Sequence, residues 1–290
     1  MSAPLEAELA RETSRELTVR TDDGAELAVT VLAPLAGTAP SVDVVLVHGW
    51  AHTRRVWGTV ADRLIRSGHR VVLYDQRGHG ASTAGRTPVS VERLGADLAA
   101  VLGETDARGA VVVGHSGGGF AALSYAAHDP EAGRLHGLVL LGTAAHGQDT
   151  PDSEVKMMGN ALFSWALRRS WLGGKLLSST MGKGVDPVAL DVNRQLFAAT
   201  APHVRAEFFR CTRGWDVREA LKKVTVPAVV LHGEGDKVIA PALAEILAET
   251  LPGARFEPVP GAGHMLPLER PLLAVSAVAE LTSLSSLSPR

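Results

Sequence analysis

The segment Val111-Val112-Val113-Gly114-His115-Ser116-Gly117-Gly118-Gly119-Phe120 constrains the fold of this chain more than any other. Three β-branched residues predict a short buried strand, Gly114 to Gly118 form a G-x-S-x-G turn, and Phe120, Ala121, Ala122 and Leu123 predict a helix behind it. A serine on so sharp a strand-to-helix turn sits at a strained backbone conformation. The glycines around it remove the Cβ atoms that would collide where strand and helix nearly touch. A chain with 30 glycines produces some G-x-S-x-G matches by chance, so the flanking strand and helix carry the argument. They present the Ser116 hydroxyl at the end of a buried strand, where a nucleophile belongs.

Two further polar residues follow apolar strands downstream. Val226-Pro227-Ala228-Val229-Val230-Leu231-His232 reads as a buried strand left by the loop Gly233-Glu234-Gly235-Asp236. Phe256 to Val259 reads as a short last strand, ending in Pro260-Gly261-Ala262-Gly263-His264. A serine hydroxyl is a poor nucleophile at its own pKa and needs a base beside it. His264 is the candidate base, because its imidazole is the side chain suited to proton transfer near neutral pH, and the Gly-Ala-Gly before it allows a tight loop. Asp236 would hold the imidazole and stabilise its charged form, with Glu234 and then Asp216 as rivals. Upstream, Val44 to Val47 is a strand whose trailing His48-Gly49-Trp50 can offer the Trp50 N–H to an oxyanion. The Gly117 N–H, just after the serine, would be the second donor.

Between these points strands and helices alternate. A hairpin of Leu17–Thr21 and Glu26–Leu32 turns on Asp22-Asp23-Gly24. Then come a strand at Val44–Val47, a helix at Thr53–Ser67 closed by Gly68, a strand at Val71–Tyr74, a helix at Val91–Leu102, the elbow strand at Ala110–Val113 and a strand at Leu138–Leu141. Strands apolar on both faces and separated by helices mean a mostly parallel sheet covered on both sides. From Thr143 to Lys223 the alternation stops, leaving helical patches at Met157–Arg169, Ala189–Ala199 and Val204–Cys211 and no convincing strand. The large apolar residues there, Phe163, Trp165, Trp171, Phe197, Phe208 and Trp215 among them, are too many for an open linker.

At this point the chain resembles the α/β-hydrolase family over Leu17 to Leu281. The anchors are His48-Gly49-Trp50, Asp75-Gln76-Arg77-Gly78-His79-Gly80-Ala81-Ser82, Gly114-His115-Ser116-Gly117-Gly118, Gly233-Glu234-Gly235-Asp236 and Gly263-His264. The chain order Ser116, Asp236, His264 is that of this family. The resemblance implies an α/β-hydrolase fold, with a mostly parallel eight-stranded sheet, helices on both faces and an inserted helical cap. It implies a core of residues 15–142 and 224–282, a cap at 143–223 and flexible tails at 1–14 and 283–290. It also favours Asp236, since the family's acid occupies that place in a G-x-x-D loop. His48, His115 and His232 are read as structural, and Asp75 with Arg77 as an ion pair that fixes its loop. Within the superfamily a serine at the elbow excludes haloalkane dehalogenases and epoxide hydrolases, which carry aspartate there. His48-Gly49-Trp50-Ala51 matches neither the H-G-G-P-G of proline iminopeptidases nor the H-G-G-G of the hormone-sensitive-lipase group.

The expected function is that of a serine hydrolase, cleaving an ester, lactone or thioester bond of a small, largely apolar molecule through an acyl-enzyme. Perhydrolysis or cofactor-free haloperoxidation, acyl transfer to an internal hydroxyl, a ligand receptor and a non-hydrolytic lyase keep the same residues and stand as alternatives. No cofactor is expected, and no metal, for want of a Cys/His cluster or an H-E-x-x-H pattern. With 46% hydrophobic and 21% charged residues the chain can bury a full core. Its net charge of −2 makes no case for nucleic acid or an anionic membrane. No apolar run approaches the ~18 residues of a membrane span. The charged stretch to Glu16 lacks the apolar core of a signal peptide, and Cys211 has no second cysteine to pair with, so a cytoplasmic protein is expected. The partner is a small-molecule substrate, and nothing here bears on oligomeric state.

Overall fold

Val44–Val47 (β3), Val71–Tyr74 (β4) and Ala110–His115 (β5) are buried at every residue, which only a strand covered on both faces can be. In the computed structural model, which describes residues 14–35, 37–38, 41–128, 134–147 and 150–284, they form the centre of one sheet. Its other strands are Ser14–Arg20 (β1), Glu26–Leu32 (β2), Leu135–Leu141 (β6), Ala228–Gly233 (β7) and Arg255–Val259 (β8). The order across the eight strands is β1-β2-β4-β3-β5-β6-β7-β8. Only the β1–β2 and β2–β4 pairs are antiparallel.

Alternation along each strand splits the core in two. Val45, Val47 and Val112 pack with Leu94, Leu98 and Val101 of α2 (Val91–Glu104), and with Leu123 of the helix after the elbow. Val44, Leu46, Val111 and Val113 pack on the other face with Val60 and Leu64 of α1 (Gly58–Arg66), and with Ala274 and Val278 near the C-terminus. The helix expected over Thr53–Ser67 opens as a 3-10 turn at Arg54–Trp57 and closes at Gly68, where φ is +91°. β6 begins three residues earlier than its apolar run, since Leu135 and His136 are only half-buried and break the pattern. β7 starts at Ala228 because Pro227 has no N–H for the ladder, although its carbonyl still accepts from Leu138 N at 3.0 Å.

The loop after β4 is held differently from the expected Asp75–Arg77 pairing. Asp75 binds Arg54 (3.0 Å) and accepts the N–H groups of Arg54 and Ala81. Arg77, 1% exposed, bridges Asp97 on α2 (2.6 Å) and Asp23 in the β1–β2 turn (2.9 Å). Two residues apart on a turning chain, the two side chains reach different neighbours. The Arg77 hydrogen bond holds the Asp23 carboxyl far below the usual carboxylate range, whereas burial raises that of Asp97 despite Arg77. Arg77→Met would leave both carboxylates buried without their cation and should cost about 3–5 kcal/mol. A urea midpoint giving a loss below about 1 kcal/mol would show that water replaces the guanidinium.

Helices fill the stretch between β6 and β7. After α3 (Gly117–His128) come α4 (Asp152–Met158), α5 (Ala161–Leu167), α6 (Ser170–Leu177), α7 (Pro187–Ala199), α8 (Pro202–Cys211) and the short α9 (Arg218–Leu221). The helical patch expected at Met157–Arg169 is broken at Gly159-Asn160, where the Asn160 side chain caps α5 by accepting from Leu162 and Phe163. Fully buried Arg205 ties the bundle together, donating to the carbonyls of Met158, Phe197 and Thr200 and to Ser164 Oγ. Cys211 is half-buried, and desolvation pushes its thiol up to about 12. The chain closes with α10 (Pro241–Thr250), α11 (Leu266–Glu269) and α12 (Pro271–Leu284). No helix among the described residues is long and apolar enough to cross a membrane. Of the expected tails, Ser14 opens β1 and residues 283 and 284 end α12, while 1–13 and 285–290 lie outside the described residues.

Candidate active site

β5 ends at His115, and the next residue turns back on itself. Ser116 has φ +51°, in the left-handed region that costs a residue with a Cβ about 1–3 kcal/mol. The neighbours hold it there. Its N–H donates to Leu141 O (2.9 Å), and its carbonyl accepts from Gly119 N (2.8 Å) and Thr143 Oγ (3.0 Å). A Cβ at Gly114 would stand 2.6 Å from Gly118 O, and one at Gly118 would overlap Val47 O. Both glycines of the motif are steric requirements.

Above this turn three side chains meet. His264 Nε2 lies 2.9 Å from Ser116 Oγ, and His264 Nδ1 lies 2.7 Å from Asp236 Oδ2. Their exposures are 8%, 6% and 6% for Ser116, His264 and Asp236, so the chain of hydrogen bonds is nearly dry. Asp236 is pinned through Oδ1 by the N–H groups of Val238 (2.7 Å) and Ile239 (3.0 Å). Burial works against its ionisation, but the His264 ring and these donors outweigh that and hold the carboxyl below its usual range. An ionised Asp236 takes the proton-bearing Nδ1 of His264, leaving the Nε2 lone pair to accept from the Ser116 hydroxyl. The two rival acids stand elsewhere. Glu234 is exposed, and Asp216 is exposed and paired with Arg218 at 2.5 Å.

Trp50 and Gly117 are brought to the same place. Gly117 is the first residue of α3, and neither its N–H nor that of Trp50 donates to a protein acceptor among the described residues. The indole of Trp50 lies against Gly117 so closely that a Cβ there would overlap Nε1, and Phe120, Phe208 and Phe209 surround the ring. The loop has its own strained residue, Ala51 at φ +57°, whose N–H donates to His79 Nε2 at 3.0 Å. His48 accepts from Gln76 N–H (2.9 Å) and reaches Gly49 O (2.7 Å). Burial drives the pKa of His48 well down and that of His79 to about 4, so both are neutral braces.

Four further contacts had no signal in the sequence. His115 donates from Nε2 to His264 O (2.9 Å), and His232 reaches Ile239 O (3.1 Å) beside Asp236. Both rings are buried, and desolvation lowers both pKa values. The other two come from the helical stretch between β6 and β7. Thr180 O accepts the His264 N–H at 2.8 Å, and Asn193 of α7 lies 2.8 Å from His52, whose other ring nitrogen meets Trp50 O at 2.8 Å. Residues between β6 and β7 therefore touch both the His264 loop and the Trp50 loop. Among the described residues no cluster of His, Cys, Asp and Glu could hold a metal ion.

The sheet order, the left-handed serine at the end of β5 and the helices behind it place this chain in the α/β-hydrolase superfamily, as a hydrolase. A family model described as serine aminopeptidase, S33, matches residues 38–271, and the chain belongs to that family. Among similar proteins, a non-heme chloroperoxidase of Streptomyces lividans is 29% identical over 254 residues, covering 80% of this chain and 88% of that protein. A bifunctional esterase/perhydrolase of Acinetobacter calcoaceticus is 29% identical over 237 residues, covering 76% and 84%. The solved structure of the esterase RhEst1 from Rhodococcus sp. ECU1013 superposes with a TM-score of 0.78 at 25% identity, covering 92% of this chain and 98% of that one.

Proposed function

We propose that this chain is a serine hydrolase of carboxylic ester-like bonds in small, largely apolar molecules. The observation that carries the reading is the Ser116–His264–Asp236 hydrogen-bond chain, 2.9 and 2.7 Å long, on a strained left-handed serine. Ser116 Oγ attacks the carbonyl carbon while His264 Nε2 takes its proton, and Asp236 stabilises the imidazolium. The carbonyl oxygen, now an anion, is received by the Trp50 and Gly117 N–H groups at the positive end of α3. Each such donor is worth about 3 kcal/mol. Collapse breaks the bond to the leaving group, which departs with the proton from His264. Water, deprotonated by the same nitrogen, then attacks the acyl-Ser116 ester and releases the acid.

An ester fits better than a peptide with a free N-terminus. Recognising an α-ammonium takes a carboxylate with acceptor sites to spare, and Glu269, beside the His264 loop, commits three of its own to the N–H groups of Gly182, Gly263 and Met265. In this reading residues 143–223 are a cap over a core of 15–142 and 224–282. Its apolar interior, Leu167, Leu177 and Phe197, packs with Ala51 beside Trp50. A cytoplasmic setting belongs to the same reading, supported by the lone thiol of Cys211.

The test is a fluorophosphonate probe together with a short p-nitrophenyl ester. The adduct should map to Ser116 alone and should abolish turnover of the ester. An adduct elsewhere, or binding without turnover, would overturn the reading and favour the receptor. A second reading rests on the relatives named as chloroperoxidase and esterase/perhydrolase. Hydrogen peroxide in place of water at the acyl-Ser116 step would release a peracid. Peracid formation from an ester plus peroxide, absent in Ser116→Ala, measures that branch.

A further inference from the structure

Seven large apolar side chains are exposed among the described residues, and five of them, Met157, Leu162, Trp165, Trp171 and Leu176, sit on the consecutive helices α4, α5 and α6. Trp171 is 77% exposed and Leu162 71%, so neither is covered by the rest of the fold. With Phe163 and Leu172, four of these five line an open groove of about 560 Å³. A contiguous apolar face of this kind marks a surface that meets something else.

The charges on these helices lean positive: α4 opens with Asp152, paired with Arg213, and Glu154, whereas α5, α6 and the residues flanking them carry only cations. From Lys156 to Lys183 the chain carries Lys156, Arg168, Arg169, Lys175 and Lys183 and no acid, in a protein whose net charge is −2. All five are exposed. Three are built into the apolar face: Lys156 lines the groove, Arg169 stacks 4.9 Å over Trp165, and the Lys175 ammonium lies 5.9 Å from the Trp171 ring. Indole rings beside basic heads, with aliphatic side chains between them, match the layering of a bilayer surface. The apolar parts enter the acyl boundary, the indoles sit at headgroup depth and the cations meet phosphate.

We propose that the α4–α6 face docks on an anionic phospholipid surface. The whole-chain charge hides this, because apart from Asp152 and Glu154 in the first turn of α4 the acids that offset the five cations lie outside these helices. Trp171, Leu162 and Leu176 supply the apolar anchor, and Arg169, Lys175 and Lys156 supply the attraction to phosphate. Behind the groove, Phe163 packs on the cluster of Leu167, Leu177 and Phe197 that reaches Ala51, next to Trp50. Docking therefore sets the lipid against the outer side of the helices whose inner side meets the candidate site.

The experiment is co-sedimentation of the full chain with vesicles of phosphatidylcholine alone and of phosphatidylcholine with 30% phosphatidylglycerol. Binding should be at least tenfold tighter to the anionic vesicles and should fall away in 1 M NaCl. One cation near an anionic surface strengthens binding roughly fivefold, so Arg169→Glu with Lys175→Glu should weaken it more than tenfold. Leu162→Ser with Trp171→Ser should do so as well. All four positions lie outside the proposed machinery, so labelling of Ser116 in solution should stay unchanged, which also reports that the variants fold. No binding to anionic vesicles, equal binding to neutral ones, or binding unaffected by either pair would overturn the proposal. So would a concentration-dependent dimer that both pairs dissociate, since the occupant would then be a second copy. Failure here leaves the Ser116 labelling result intact, and the two readings stand or fall separately.

Discussion

Ser116→Ala should lower kcat for an ester substrate by on the order of 10⁶, and His264→Ala by a similar factor. In the proposed mechanism the two groups act as one proton-transfer unit, and a 2.9 Å hydrogen bond joins them in a nearly dry site. Removing either leaves a nucleophile without a base or a base without a nucleophile. The double variant should therefore be no worse than either single one, retaining the ~10³-fold advantage over water supplied by the oxyanion donors and by binding. Ser116→Ala also relieves no backbone strain, because alanine keeps a Cβ at the φ of +51°. Its stability should match the parent, and the loss would be chemical. Singles whose effects multiply in the double variant would show that Ser116 and His264 act independently, contrary to the proposed mechanism.

Asp236→Asn should keep the fold and cut kcat by about 10³–10⁴-fold, while Glu234→Gln should leave it within about twofold. An asparagine can still accept from Val238 and Ile239 through its oxygen, as Asp236 Oδ1 does now. The NH₂ group would then take the place of Oδ2 and oppose the proton on His264 Nδ1. The ring would turn to its other tautomer, with Nε2 protonated and unable to accept from Ser116. Glu234 is exposed and makes no such contact. Steady-state rates of the two variants decide the matter, and a reversed outcome would move the acid to Glu234. The lowered pKa of Asp236 sets the direction with pH: its ionised form is complete above the ordinary carboxylate range and is lost only as pH falls below it.

Much of this was legible in the chain before folding. The central parallel strands are covered on both faces, so Val44–Val47, Val71–Tyr74 and Val111–Val113 announce themselves as unbroken apolar runs. The elbow was legible because its geometry admits almost only glycine at Gly114 and Gly118, and composition at a turn records the backbone it needs. Candidate residues that end strands were legible for the same reason, since the strands can be counted.

The tertiary structure alone decided which distant groups meet. Arg77 finds Asp23 and Asp97, which lie 54 and 20 residues away, and not the Asp75 two positions before it. Asp236 was separated from Glu234 by a loop that buries one and exposes the other. Thr180 and Asn193 reach the His264 and Trp50 loops from a stretch whose sequence showed only helical patches. Trp165 and Trp171 count among residues too apolar for an open linker, yet Trp165 lines an open groove and Trp171 stands in solvent, because hydrophobicity sets how strongly a side chain seeks cover and only packing decides whether a neighbour is there to give it. Local pattern along a chain reports how much each face will be buried. It carries no record of the partner, which is set by where the chain returns.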